Sequence, residues 1–303
     1  MCTKCDHVHA IGAEFWPGNH LSTRRQTAWT PDRPPAGQTT FYQSDYNTFF
    51  ELRSLKVRMN NHESYRIQGR GKALVVNLKK TQQGDRKFAD YDRPKLEVCL
   101  RRYGYEFVNI DSYVTKQGEN LTRKEIELLF SEVAKKEDFK DCDSFVCCVL
   151  SHGDYGVFEA SDEPVQADTI LESFKGHNCS SLAGKPKIFI FQVDNPIRYS
   201  AMKPDSDDRR YVIPSEADFL MVWSLIPGDL YETASRCSPF IHSFCERMGQ
   251  LNGSLEINRM MTRVLGDLNK ELEDKAGDSF KKADYRLPVV INMLTKSLYL
   301  KKN

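Results

Sequence analysis

No apolar run in this 303-residue chain approaches the roughly 20 residues that span a bilayer, so a membrane-embedded protein is not expected. The opening residues, Met1 to His7, lack the apolar core that a secretion signal needs. An excess of charge of one sign is missing as well. The formal net charge is +1, which offers nothing to nucleic acid or to an anionic membrane surface. No internal repeat and no low-complexity tract is evident. A disulfide pattern is also absent: the nine cysteines are an odd set, and Cys99, Cys147, Cys148 and Cys245 stand within apolar runs. They read as reduced thiols of a cytoplasmic protein. Cys2, Cys5, His7 and His9 are spaced too tightly for a zinc knuckle, so no metal and no cofactor is expected.

What is present is ordinary globular material, 40% hydrophobic and 28% charged, long enough for a sizeable core. Residues 1–68 stand apart. Their turn-rich stretch from Thr30 to Thr40 has no periodicity and reads as a flexible N-terminal extension. From Gly71 the pattern becomes regular. Ala73–Leu78, Tyr105–Ile110, Phe145–Leu150 and Lys187–Gln192 are short apolar runs suited to buried strands. Between them, Leu96, Cys99, Leu100 and Tyr103 fall on one helical face behind an Asp92 cap with Pro94 in the first turn. Thr122 and Glu125 form a capping box ahead of Ile126, Leu129, Phe130 and Val133. Ile170, Leu171 and Phe174 mark another short helix. Strands alternating with helices predict an α/β fold with a mostly parallel sheet covered on both faces.

Residues 195–211 form a polar linker, followed by a smaller segment, 212–303. That segment carries a strand at Asp218–Ser224, helices near 239–249 and 255–272, and a last strand at Pro288–Leu294. The linker divides one sheet into two segments, 69–194 and 212–303, rather than separating two cores.

In open parallel sheets, chemistry sits just past the carboxyl ends of strands. Two such ends are polar here: Ser151-His152-Gly153-Asp154 and Gln192-Val193-Asp194-Asn195-Pro196. A histidine on one strand end facing a short side chain on its neighbour has the geometry of a base and a nucleophile. Taken alone, each reads more readily as a structural turn.

The ordered segments Phe145–Gly153, Lys185–Gln192, Ile213–Leu220, Pro227-Gly228 and Val290–Lys296 together resemble the caspase family, over about Tyr65 to Leu300. The resemblance implies a six-stranded caspase-like sheet. By position it also implies that His152 is the catalytic base and that Gly153 contributes its amide to an oxyanion hole. Arg86 and Gln192 match two residues of the pocket that takes a substrate Asp. The resemblance fails where the chemistry happens. The expected Gln-Ala-Cys pattern reads Gln192-Val193-Asp194, so Asp194 stands in place of the nucleophilic Cys. Glu232-Thr233 stands where a Trp-Arg pair is expected, with Arg236 close enough in sequence to substitute.

A carboxylate is a far weaker nucleophile toward an amide than a thiolate. His152 beside Asp154 and Asp194 is expected to keep both acids ionised, which disfavours an aspartic-protease-like pair. The chain therefore most resembles the catalytically inactive decoy members among insect effector-like caspases, acting in apoptosis control. The implied partner is an active caspase (a heterodimer) or a second copy (a homodimer), joined through the apolar last strand with Val289, Val290, Ile291 and Met293. Asp205 and Asp208 lie in the linker where such chains are processed. Two other readings stay open: a marginal endopeptidase of altered specificity, and an adaptor working through its N-terminal segment.

Overall fold

The run Ala73–Leu78 forms most of a buried strand, β1 (Gly71–Asn77), and its alternation sets the pattern for the whole sheet. Leu74, Val76 and Leu78 face one core, while Ala73 and Val75 face another. A strand buried on both faces must be apolar at nearly every position, which is why periodicity is hidden in such runs. In the computed structural model the described residues are 64–114, 120–194, 217–226, 237–250, 256–276 and 287–302. The linker 195–211 and almost all of the 1–68 extension lie outside them.

The remaining strands are β2 (Lys80–Thr81), β3 (Gly84–Asp85), β4 (Tyr105–Phe107), β5 (Ser144–Asp154), β6 (Val157–Glu159), β7 (Pro164–Gln166), β8 (Lys187–Asp194), β9 (Phe219–Ser224) and β10 (Val289–Asn292). The helices are α1 (Ala89–Arg101), α2 (Arg123–Lys136), α3 (Ala167–Ser173), α4 (Pro239–Gly249) and α5 (Ile257–Ala276). The main sheet runs β10-β9-β8-β5-β1-β4, with every pair parallel except β10 on β9. These are the six expected strands. The hairpin β6–β7 branches from the end of β5, and β2–β3 forms a separate small pair.

On one face α2 and α3 cover a core of stacked aromatics, among them Phe145, Phe174, Phe189, Phe191 and Trp223. The other face packs against α1, α4 and α5 through Leu96, Leu100, Phe240, Phe244, Met260 and Val264. α2 opens as its sequence requires. The Thr122 side chain accepts from the Glu125 amide, and the Glu125 carboxylate accepts from the Thr122 amide at 2.8 Å.

Two sequence expectations need correction. α1 begins at Ala89, before Asp92, because the Phe88 carbonyl already accepts from the amides of Tyr91 and Asp92. Pro94 therefore sits inside the helix, and Asp92 turns its carboxylate inward for another purpose described below. The last strand ends at Asn292. Met293 lies just beyond it, with its amide bonded to the Phe219 carbonyl, and Leu294 follows. Among the described residues no helix is long and apolar enough to cross a membrane.

Candidate functional site

The rows that build the second core continue past its apolar part into polar residues. Val75, Val146, Cys148, Leu150, Ile188, Ile190 and Val222 face α1 and α4. Two or four residues on, the same alternation puts Asn77, His152, Gln192, Asp194 and Ser224 on that face. Cross-strand register aligns them: Asn77 with Leu150, Leu150 with Gln192, and Gln192 with Ser224. One row further, His152 stands directly beside Asp194. Both residues are thus inside extended strands β5 and β8, not beyond their ends as the sequence suggested. All five side chains are buried.

Arg86, just after the β2–β3 hairpin, reaches into this patch and is itself buried. It donates from Nη1 to Asp92 Oδ2 at 2.9 Å and, at the longer distance of 3.5 Å, to Asp194 Oδ2. From Nη2 it donates to Asn77 Oδ1 at 2.9 Å. Asp92 is bound from the other side by three donors: the Ser238 amide at 2.7 Å, Ser238 Oγ at 2.6 Å and Cys237 Sγ at 3.0 Å. Ser238 precedes α4 and gives its hydroxyl to Asp92 instead of capping its own helix. Asp92 therefore joins α1 to the start of α4 and neutralises Arg86.

Asp194 is less well served. Its Oδ1 accepts from Gln192 Nε2 at 2.8 Å, and its other oxygen has the long Arg86 contact. Burial is the main influence and pushes its carboxyl up to about 6, with the nearby Asp92 charge adding to the shift and Arg86 opposing it. His152, expected to keep Asp194 ionised, is not among the groups that shift it. His152 is turned elsewhere, with Nδ1 hydrogen-bonded to Thr81 Oγ1 at 2.8 Å. Burial, assisted by the Arg86 charge, lowers its pKa to about 4. Near neutrality the imidazole is uncharged and the Asp194 carboxyl mostly ionised. One guanidinium then faces two carboxylates in a buried patch.

Three polar atoms there have no hydrogen-bond partner: Arg86 Nε, Gln192 Oε1 and Ser224 Oγ. Gly153 follows His152 and pairs with Phe158 on β6. A Cβ at this position would lie 2.4 Å from the Val157 carbonyl oxygen, and φ is +155°, so the close turn of β5 into β6 requires glycine.

Of the residues singled out in the sequence, Arg86, His152, Gln192 and Asp194 come together, with Gly153 adjacent to His152. Glu232, Thr233 and Arg236 lie outside the described residues, as do Asp205 and Asp208. Asn77, Thr81, Asp92 and Ser224 were not foreseen as part of the patch. Asn77 carried a signal, as the one polar residue in an apolar strand run; Thr81 carried none. Among the described residues no cluster of His, Cys, Asp and Glu could hold a metal ion.

Comparison with known proteins fits this arrangement. The Caspase domain family (Peptidase_C14) matches residues 70–299. Caspase-3 of Mus musculus is 36% identical over 239 residues, covering 76% of this chain and 83% of that protein. Caspase-7 of Gallus gallus is 29% identical over 246 residues, covering 76% of each. Among solved structures, that of pro-sf-caspase-1 matches with a TM-score of 0.66 at 26% identity, covering 80% of this chain and 95% of that one. The chain belongs to the caspase family, whose fold is this α/β arrangement and whose class is that of the cysteine peptidases.

Proposed function

We propose that this chain is a catalytically inactive caspase homologue that works in the cytoplasm, in apoptosis control, by pairing with an active caspase and altering its activity. One observation carries the reading: beside His152, where the family resemblance expects a cysteine, stands the buried carboxylate of Asp194. The neutral imidazole of His152 has no thiol to deprotonate there. Attack by a carboxylate on an amide would give an anhydride while expelling a far more basic amine, which reverses before it proceeds. Water activation by two carboxylates needs a second free acid, and both oxygens of Asp92 are taken by Arg86, Ser238 and Cys237.

Substrate binding is opposed as well. An acidic substrate side chain would bring a third negative charge to Arg86. Each like-charge contact at about 4 Å costs on the order of 4 kcal/mol at an effective dielectric near 20. The pairing surface we assign is β10, which among the described residues is an edge strand bonded to β9. Val289 on it is 42% exposed, and an apolar edge of this kind takes a partner strand.

The test of inactivity is cleavage of fluorogenic peptides ending in Asp by purified full-length protein. The expected result is no turnover by wild type, and turnover well below that of an ordinary caspase for Asp194→Cys. Wild-type turnover that disappears in His152→Ala would overturn the proposal. Full recovery in the single mutant Asp194→Cys would show that the pocket still accepts an acidic side chain.

A further inference from the structure

Four free cysteines, Cys99, Cys148, Cys237 and Cys245, line the core beneath α1 and α4. Two of them interlock. The Cys99 thiol on α1 reaches the Cys245 carbonyl on α4 at 4.0 Å. The Cys245 thiol in turn reaches the Lys95 carbonyl, one turn before Cys99, at 3.7 Å. Each sulfur thus lies against the helix that carries the other. A core that needed only apolar volume would be filled as well by alanine or valine.

We propose that Cys99 and Cys245 form a reversible disulfide, a modification site that ties the first segment of the chain to the second. The reaction consumes one hydrogen peroxide. The Cys99 sulfur attacks the peroxide O–O bond, giving a sulfenic acid and water. The Cys245 sulfur then attacks the sulfenic sulfur, forming the S–S bond and expelling the oxygen, which leaves as water with the displaced proton. Two thiols and one peroxide thus become one disulfide and two waters.

The surroundings favour Cys99 as the thiol that reacts first. The Cys245 side chain beside it lowers its pKa against the opposing effect of burial, and the charges of Arg102 and Lys95 assist. The Lys95 ammonium sits close by, 2.8 Å from His242 Nδ1 and 3.1 Å from Glu246 Oε1. Cys245, whose thiol lies against the Lys95 carbonyl one turn before Cys99, is placed to attack second. The neighbouring thiols are poor competitors. Cys237 donates to Asp92 at 3.0 Å, and burial together with that carboxylate raises its pKa. Cys147 and Cys148 are enclosed within β5, where burial raises them too. A bond between Cys99 and Cys245 would keep the two segments covalently joined after a cut in the 195–211 linker. This inference is independent of catalytic inactivity and of pairing through β10.

The experiment uses the full-length chain. It is exposed to hydrogen peroxide, acid-quenched, alkylated with N-ethylmaleimide in denaturant without reductant, and digested with trypsin. Mass spectrometry should find peptide Leu96–Arg101 linked to peptide Cys237–Arg247, with two hydrogens lost and with fragment ions placing the bond at Cys245. The link should disappear when a reductant precedes alkylation, and it should persist in Cys237→Ser. The proposal is overturned if Cys99 and Cys245 are recovered alkylated. It is equally overturned if the fragments place the bond at Cys237, or if both cysteines reach higher oxidation states without a link. The wild-type fragment spectrum decides the matter even if a variant fails to fold.

Discussion

Burial moves Asp194 and His152 in opposite directions, and the consequences for stability oppose each other over the same pH range. Asp194 rises from 3.8 to about 6, so between those values the native state holds a proton that the unfolded chain has released. Stability from this group is fullest at low pH and is lost as pH rises through about 6. The cost at neutrality is on the order of 3 kcal/mol. His152 falls from 6.5 to about 4, so the unfolded chain binds the extra proton in that window. Its contribution is intact above 6.5 and is lost as pH falls toward 4. Replacing Asp194 removes one slope and leaves the other. Asp194→Asn should therefore be more stable than wild type at pH 7.5, by up to ~3 kcal/mol in urea unfolding. The gain should shrink as pH falls below 6 and vanish below about 3.8, and the variant's stability should fall more steeply below pH 6.5. A variant no more stable than wild type at pH 7.5 would mean that the carboxylate is better compensated than its long Arg86 contact indicates.

At the scale of elements, the site exists because β5 and β8 run on past their apolar cores to His152 and Asp194, and because β5 turns at once into β6. That turn depends on Gly153. Gly153→Ala would drive a Cβ into the Val157 carbonyl at a φ of +155°. The variant should lose roughly 2–5 kcal/mol, combining backbone strain with overpacking. The check is the urea midpoint, and a change within about 0.5 kcal/mol, the range of an ordinary surface substitution, would contradict the geometry. The sequence made the central strands and α2 readable, since doubly buried strands and a capping box leave local signatures. The start of α1 was not readable. Asp92 has the composition of a helix cap, but its carboxylate is claimed by Arg86, Cys237 and Ser238, two of them distant in the chain. The hairpins β2–β3 and β6–β7 are two or three residues per strand, too short for any periodicity. The Thr81–His152 contact they help create was therefore out of reach. His152, Gln192, Asp194 and Arg86 could be named from family-like segments, whereas the opposite pKa shifts depend on burial that only the packed structure reveals.

At the scale of the whole molecule, one sheet carries both the Asp194 site and the β10 edge. The order β10-β9-β8-β5-β1-β4 places the Asp194 strand next but one to β10. Ile291 leans against the aromatic core and Val290 against the helical one, each only partly covered, while Val289 is open. Pairing through that edge uses backbone bonds and apolar packing, neither of which involves Asp194 or His152. The central claim, regulation of a partner caspase through β10, is tested most directly by partner activity in reconstituted mixtures. An active caspase is assayed alone, with wild type, with Ile291→Glu, and with Asp194→Ala as a control that leaves the strand intact. Wild type and Asp194→Ala should change the partner's rate to the same extent. Ile291→Glu, shown to be folded by its unfolding transition, should leave it unchanged, because a carboxylate buried unpaired at the contact costs several kcal/mol of association. If folded Ile291→Glu alters the partner as much as wild type does, pairing through β10 is wrong.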